Sequence, residues 1–223
     1  MTTYEVYKKD SNVLRIYYDE SASNPRQDYD NFGTMICWHS RYVLGDKHNF
    51  EDKDNFLLSL LEEMLGNTYK AEEKYEKLKN QVDREIFRSY SAYSKEVDDK
   101  ILDFLENDCI ILPLYLYDHS GITMNTTGFY CPWDSGQVGW IYVTKEMVRR
   151  EYGIKRITKK IREKVIQALK SEVNVYSEYL EGNVYGYVLE DAEGNELDSC
   201  WGFYGDNFRE NGMADYVGQE WFN

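Results

Sequence analysis

A chain of 223 residues, 42% apolar and 16% aromatic, has the side chains for one large core or two small ones, which excludes wholesale disorder. Its longest apolar run, about eight residues ending at Tyr117, falls far short of the roughly 20 that cross a bilayer, so no membrane association is expected. The net charge of −14 argues against a general nucleic-acid-binding surface.

Residues 4–8 and 13–19 read as a strand hairpin around Asp10, Ser11 and Asn12, followed by a polar loop over 21–32 and a third strand over 34–40. Phe56, Leu57, Leu60, Leu61, Met64 and Leu65 recur at helical spacing, and Gly66 is placed to stop that helix. Residues 68–90 predict a solvated, charged helix with one narrow apolar stripe (Tyr75, Leu78, Val82, Ile86, Tyr90), and a shorter helix follows over 95–106.

Residues 109–117 and 137–144 predict strands, with a polar loop over 118–137 between them. A short helix over 145–152 precedes the clearest helix of the chain, with Ile157, Ile161, Val165, Leu169, Val173, Tyr176 and Leu180 on one stripe and Gly182 at its end. Residues 183–189 and 197–204 form the strongest hairpin signal, joined by the turn-rich EDAEGNE. The acidic tail over 206–223 is expected to dock as a short helix. The expected fold class is α+β, a mostly antiparallel sheet packed with helices in a single domain over 1–223, with 68–106 as a projecting charged helical subdomain.

Charge is distributed unevenly. Residues 101–144 contain no lysine or arginine; residues 145–170 contain ten, against three carboxylates; residues 171–223 contain one, against twelve. The basic segment could reach phosphates, the protein's own acidic end, or an acidic partner.

Two places could carry chemistry. His119 leaves a strand into a Gly-containing loop, where a general base is often set, and Cys131 twelve residues on could serve as a nucleophile. Asp118 is not expected to orient His119, because neighbouring residues of a strand point to opposite faces. Cys37 and His39 share a strand face, yet nothing nearby completes a ligand set, so a buried thiol and a satisfied imidazole are the expectation. Among many acidic pairs only Asp19 and Glu20, at a strand end, stay open to metal chemistry. No phosphate-cradling glycine loop, GxSxG elbow or HExxH motif is present, and no metal or cofactor is expected. The opening MTTYEVYKKD has no basic start before an apolar stretch, so no secretory signal is expected. The four cysteines lack a CxxC pair and read as thiols of a reducing cytoplasm.

The runs LRIYYDESASNPR, LPLYLYDHSGITM and CPWDSGQVGWIYVTKE, spread over residues 13–150, resemble a family of uncharacterised proteins from bacteriophages and other mobile elements of Gram-positive bacteria. The resemblance carries no catalytic residues. It implies an accessory protein acting in the cytoplasm of the bacterial host. In that setting the leading expectation is an inhibitor of a host defence protein or nucleoprotein complex, of the anti-CRISPR or anti-restriction type. It would present an acidic, nucleic-acid-mimicking surface built from Glu190, Asp191, Glu193, Glu196, Asp198 and Asp206, without contacting nucleic acid directly. The alternative is a small enzyme acting on a nucleotide signal or nucleic acid through the 118–137 loop. A phage assembly or regulatory role is the third reading.

Overall fold

Capping residues and turn glycines set the element boundaries. In the computed structural model, which describes residues 1–222, the first half of the chain forms β1 (Thr3–Lys9), β2 (Asn12–Tyr18), β3 (Thr34–Cys37), α1 (Lys53–Leu65), α2 (Thr68–Lys79) and α3 (Tyr90–Leu105). The second half forms β4 (Cys109–Asp118), β5 (Ile122–Asn125), β6 (Ser135–Thr144), α4 (Lys145–Glu151), α5 (Lys159–Glu181), β7 (Val184–Glu190), β8 (Glu196–Tyr204) and α6 (Met213–Val217). The fold is α+β, with two antiparallel four-stranded sheets in the orders β1-β2-β7-β8 and β3-β6-β4-β5. The chain gathers into two compact units interleaved in sequence: residues 1–31, 115–136 and 170 onward form one, and residues 32–114 and 137–169 the other.

The first unit is built on the β1-β2-β7-β8 sheet. β2 meets β7 in continuous register from Val13↔Glu190 to Tyr18↔Tyr185. β7 meets β8 from Val184↔Tyr204 to Glu190↔Glu196, with two register shifts. Alternation sends Leu14, Ile16, Tyr185, Tyr187 and Phe203 into one core, which Phe208, Met213 and Trp221 of the C-terminal segment complete. The expected docking helix is α6, extended by a 3-10 turn over Gln219–Phe222. On the sheet's other side, the indole of Trp201 lies so close to the Gly186 backbone that a Cβ there would meet its ring at 2.1 Å.

In the second unit α1, α2 and α3 pack on one another and on Ile36, Cys109 and Trp140. α1 begins at Asp52, whose carboxylate accepts from Asn55 N at 2.9 Å, and ends at Gly66 in the left-handed region. The single charged helix expected over 68–90 is broken. Asn67 caps α2, and Asp83 then accepts from Glu85 N and Ser89 from Ala92 N. These short polar side chains satisfy backbone donors locally and restart the chain as a 3-10 turn and then α3, five residues earlier than expected. The apolar stripe divides accordingly: Tyr75, Leu78 and Val82 are buried, whereas Ile86 and Tyr90 are exposed. The Lys53 ammonium donates to the Ser94 hydroxyl and to the carboxylate of Asp98, which is buried among the helices. Burial pushes the Asp98 carboxyl above its ordinary range, and the Lys53 ammonium opposes that shift.

β3 ends at Cys37, three residues before the expected limit. Trp38 N still donates to Val138 O, but the chain then folds back so that Gly45, in the left-handed region, bridges Ile36. β3 lies against β6 so closely that a Cβ on Gly139 would stand 1.9 Å from the carbonyl oxygen of Ile36. That atom is backbone and cannot move aside without parting the strands. Gly139→Ala is therefore expected to cost about 1–3 kcal/mol, the usual range for overpacking. Gly136→Ala, in the same strand with nothing within 4 Å, should be nearly neutral. Urea midpoints of the two variants against the parent check this.

Candidate functional site

The segment after β4 is a hairpin with a rigid extension, where the sequence predicts an unbroken loop. Ser120 and Gly121, both at positive φ, turn the chain from β4 into β5, which pairs from Tyr115↔Asn125 to Asp118↔Ile122. The extension folds on its own hydrogen bonds. Asn125 Oδ1 accepts from Thr127 N and Gly128 N, Ser135 Oγ donates to Cys131 O, and Asp118 N donates to Asp134 O. β5 escapes prediction because four residues after a glycine carry too little alternation to register.

This folding brings His119 and Cys131 to one carboxylate, that of Asp134. The His119 Nδ1 lies 3.4 Å from Asp134 Oδ2, and the Cys131 thiol donates to the same oxygen at 3.5 Å. Asp134 was not among the expected site residues, since only the β4–β5 turn brings it back beside the strand end. A nucleophilic cysteine needs the imidazole between thiol and carboxylate, so that the imidazole takes the thiol proton and the carboxylate orients the imidazole. Here the carboxylate stands between the other two, and no hydrogen bond joins Cys131 to His119 among the described residues. The histidine is well exposed and is stacked on Tyr117. Nearby, Tyr130 and Trp133 project almost wholly into solvent.

Cys37 is buried, and His39 leaves the strand to stack on Tyr42 and accept from Arg41 N. The imidazole beside Cys37 is instead His48, whose Nε2 lies 2.9 Å from the Cys37 carbonyl oxygen. Asp19 accepts from Ser21 N in the turn that follows it, and Glu20 accepts from the hydroxyl of Thr2, just before β1. Among the described residues no three His, Cys, Asp or Glu side chains gather as a metal site would require.

The six acidic residues expected to form a partner surface divide by structural duty. Glu190 pairs with Arg15 across β2 and β7 at 2.9 Å. Asp191 holds the hairpin turn, accepting from the backbone N–H groups of Glu193 and Asn195 and from the Asn195 side chain. Those bonds, the Asn195 amide first, hold its carboxyl below the ordinary range. Asp198 accepts from the Tyr187 hydroxyl at 2.5 Å; burial, then this bond, pushes the phenol upward. Glu193 and Glu196 are exposed, and the Glu196 carboxylate accepts from the Ser199 hydroxyl. Asp206 lies past the end of β8, where its charge adds to the burial that raises the Glu178 carboxyl.

What no reading of the sequence supplies is the position of β8 at the sheet edge. Among the described residues β8 pairs with no strand but β7, which makes it an edge of its sheet, and Glu196, Leu197, Asp198, Ser199 and Trp201 are exposed. Comparison with protein-family models, with curated proteins and with solved structures finds no match to the chain.

The four thiols separate by burial, Cys37 and Cys109 buried, Cys131 and Cys200 partly open. Burial first, then the Asp108 charge, raises the Cys109 thiol from 9.0 to about 12. A thiol reagent at neutral pH is expected to label Cys131 and Cys200 in the folded protein and the other two only in denaturant, as peptide mapping would show. Because the folded thiol of Cys109 ionises later than the unfolded one, its contribution to stability is complete below pH 9 and is lost as pH rises toward 12. The urea midpoint of Cys109→Ala should therefore decline less between pH 9 and 11 than that of the parent.

Proposed function

We propose that the chain is an accessory protein of a bacteriophage or other mobile element. In this reading it acts without catalysis, binding and inhibiting a host defence protein or nucleoprotein complex in the bacterial cytoplasm through the acidic edge of the β7–β8 hairpin. One observation carries it: β8 is an open sheet edge bearing Glu196 and Asp198 beside the exposed apolar side chains of Leu197 and Trp201. Residues 171–208 contain no lysine or arginine, and among the described residues of the hairpin only Glu190 has a cationic partner, Arg15, which leaves Glu193 and Glu196 to meet a basic one. An unpaired edge offers backbone hydrogen bonds to an extended basic segment, carboxylates steer the encounter, and Leu197 and Trp201 supply apolar anchors. Natural edges are commonly blunted by lysine or proline; β8 has neither.

The enzyme reading rests on His119 and Cys131, and the intervening Asp134 carboxylate counts against it.

Glu190, Asp191 and Asp198 hold the hairpin together, so reversing their charge would unsettle the fold and the surface at once. Glu193→Lys with Glu196→Lys alters the surface alone. Against a basic defence nuclease that the parent inhibits at one-to-one stoichiometry, this double variant should bind at least tenfold more weakly, with an unchanged melting temperature. Titration by calorimetry at two salt concentrations measures it. Equal inhibition by the variant, or turnover at substoichiometric protein that His119→Ala abolishes, would overturn the proposal.

A further inference from the structure

α4, the connection after it and the first turns of α5 enclose a shallow cleft of about 270 Å3. Its lining is Lys145, Arg149, Lys155, Arg156, Lys159 and Arg162 with Ile157 and Thr158, and it contains no carboxylate. Arg162 pairs with Glu106 at 3.2 Å. The other five cations make no ion pair and no side-chain hydrogen bond among the described residues. A chain of net charge −14 thus leaves five cations unneutralised around one concavity.

We infer that this cleft binds consecutive backbone phosphates of a nucleic acid. Three features of the lining point there. Like charges held together without counter-charges repel one another, and a bound polyanion relieves that repulsion. The two arginines free of an ion pair present planar forks that match phosphate oxygens, while the three lysines add point charges. The lining has no aromatic side chain and one apolar residue, so nothing in it stacks on a base or encloses a nucleoside. Recognition is therefore of charge spacing along a backbone, independent of base sequence. This inference does not rest on the acidic edge of β8, and it departs from the expectation that the chain makes no direct contact with nucleic acid.

The test uses the full chain and a fluorescein-labelled 20-nucleotide duplex of arbitrary sequence, followed by fluorescence anisotropy between 30 and 200 mM salt. The inference predicts binding at low salt, with affinity falling as roughly the third to fifth power of salt concentration, the slope of a few neutralised phosphates. A duplex of unrelated sequence should bind equally, and tripolyphosphate should compete. Arg149→Glu with Arg156→Glu should weaken binding at least tenfold. Lys164→Glu with Lys170→Glu changes the net charge by the same amount outside the cleft and should leave binding within twofold of the parent. Circular dichroism melts verify that both variants fold, and the salt slope and tripolyphosphate competition of the parent need no variant. Absence of binding at 30 mM salt would overturn the inference. So would equal weakening in both double variants, or competition by polyglutamate as strong as by tripolyphosphate, which would assign the cleft to an acidic protein.

Discussion

Lys145, Arg149, Lys155, Arg156 and Lys159 repel one another, and the fold nevertheless holds them around one cleft. Like charges gathered on one face repel, the more so at low salt, and the packing of the elements that carry them holds them together. Val148 of α4 and Val165 and Leu169 of α5 are buried, and the Thr144 hydroxyl accepts from Met147 N at the start of α4. The cations themselves take almost no part in that packing. Glu146 and Glu151 stand between them in sequence, yet neither forms an ion pair with them among the described residues.

The acidic end follows a complementary rule. Its carboxylates divide into those that hold the hairpin and those that do not. Glu190, Asp191 and Asp198 each satisfy a partner inside the unit, whereas Glu193 in the turn and Glu196 at the start of the open edge strand stay exposed. The edge supplies what composition could not, since an acidic surface alone describes many soluble proteins. Unpaired backbone groups beside Leu197 and Trp201 give the surface direction and apolar contact as well as charge.

Much of this was legible in the sequence because it is local. The turn EDAEGNE places β7 and β8, the stripe from Ile161 to Leu180 places α5, and Gly66 and Gly182 stop helices where expected. Local competition explains the helix that broke, for Asp83 and Ser89 can satisfy backbone donors more cheaply outside a continuous helix. Non-local geometry explains the rest. His119 and Asp134 are fifteen residues apart and meet only because β5 returns the chain along β4, and the edge position of β8 depends on which strands pair. The five uncompensated cations were visible as a basic segment. That they lack partners is a property of the tertiary structure alone.

The central claim is that the chain divides its charge between two ligands, a basic partner on the β8 edge and phosphates in the α4–α5 cleft. Hydrogen exchange read by mass spectrometry, with either a short duplex or polylysine added to the full chain, tests that division most directly. The account predicts that the duplex slows exchange over residues 145–162 and leaves 184–204 unchanged, while polylysine does the reverse. Protection of the 118–137 hairpin by either ligand, or the same protected residues for both, would contradict it.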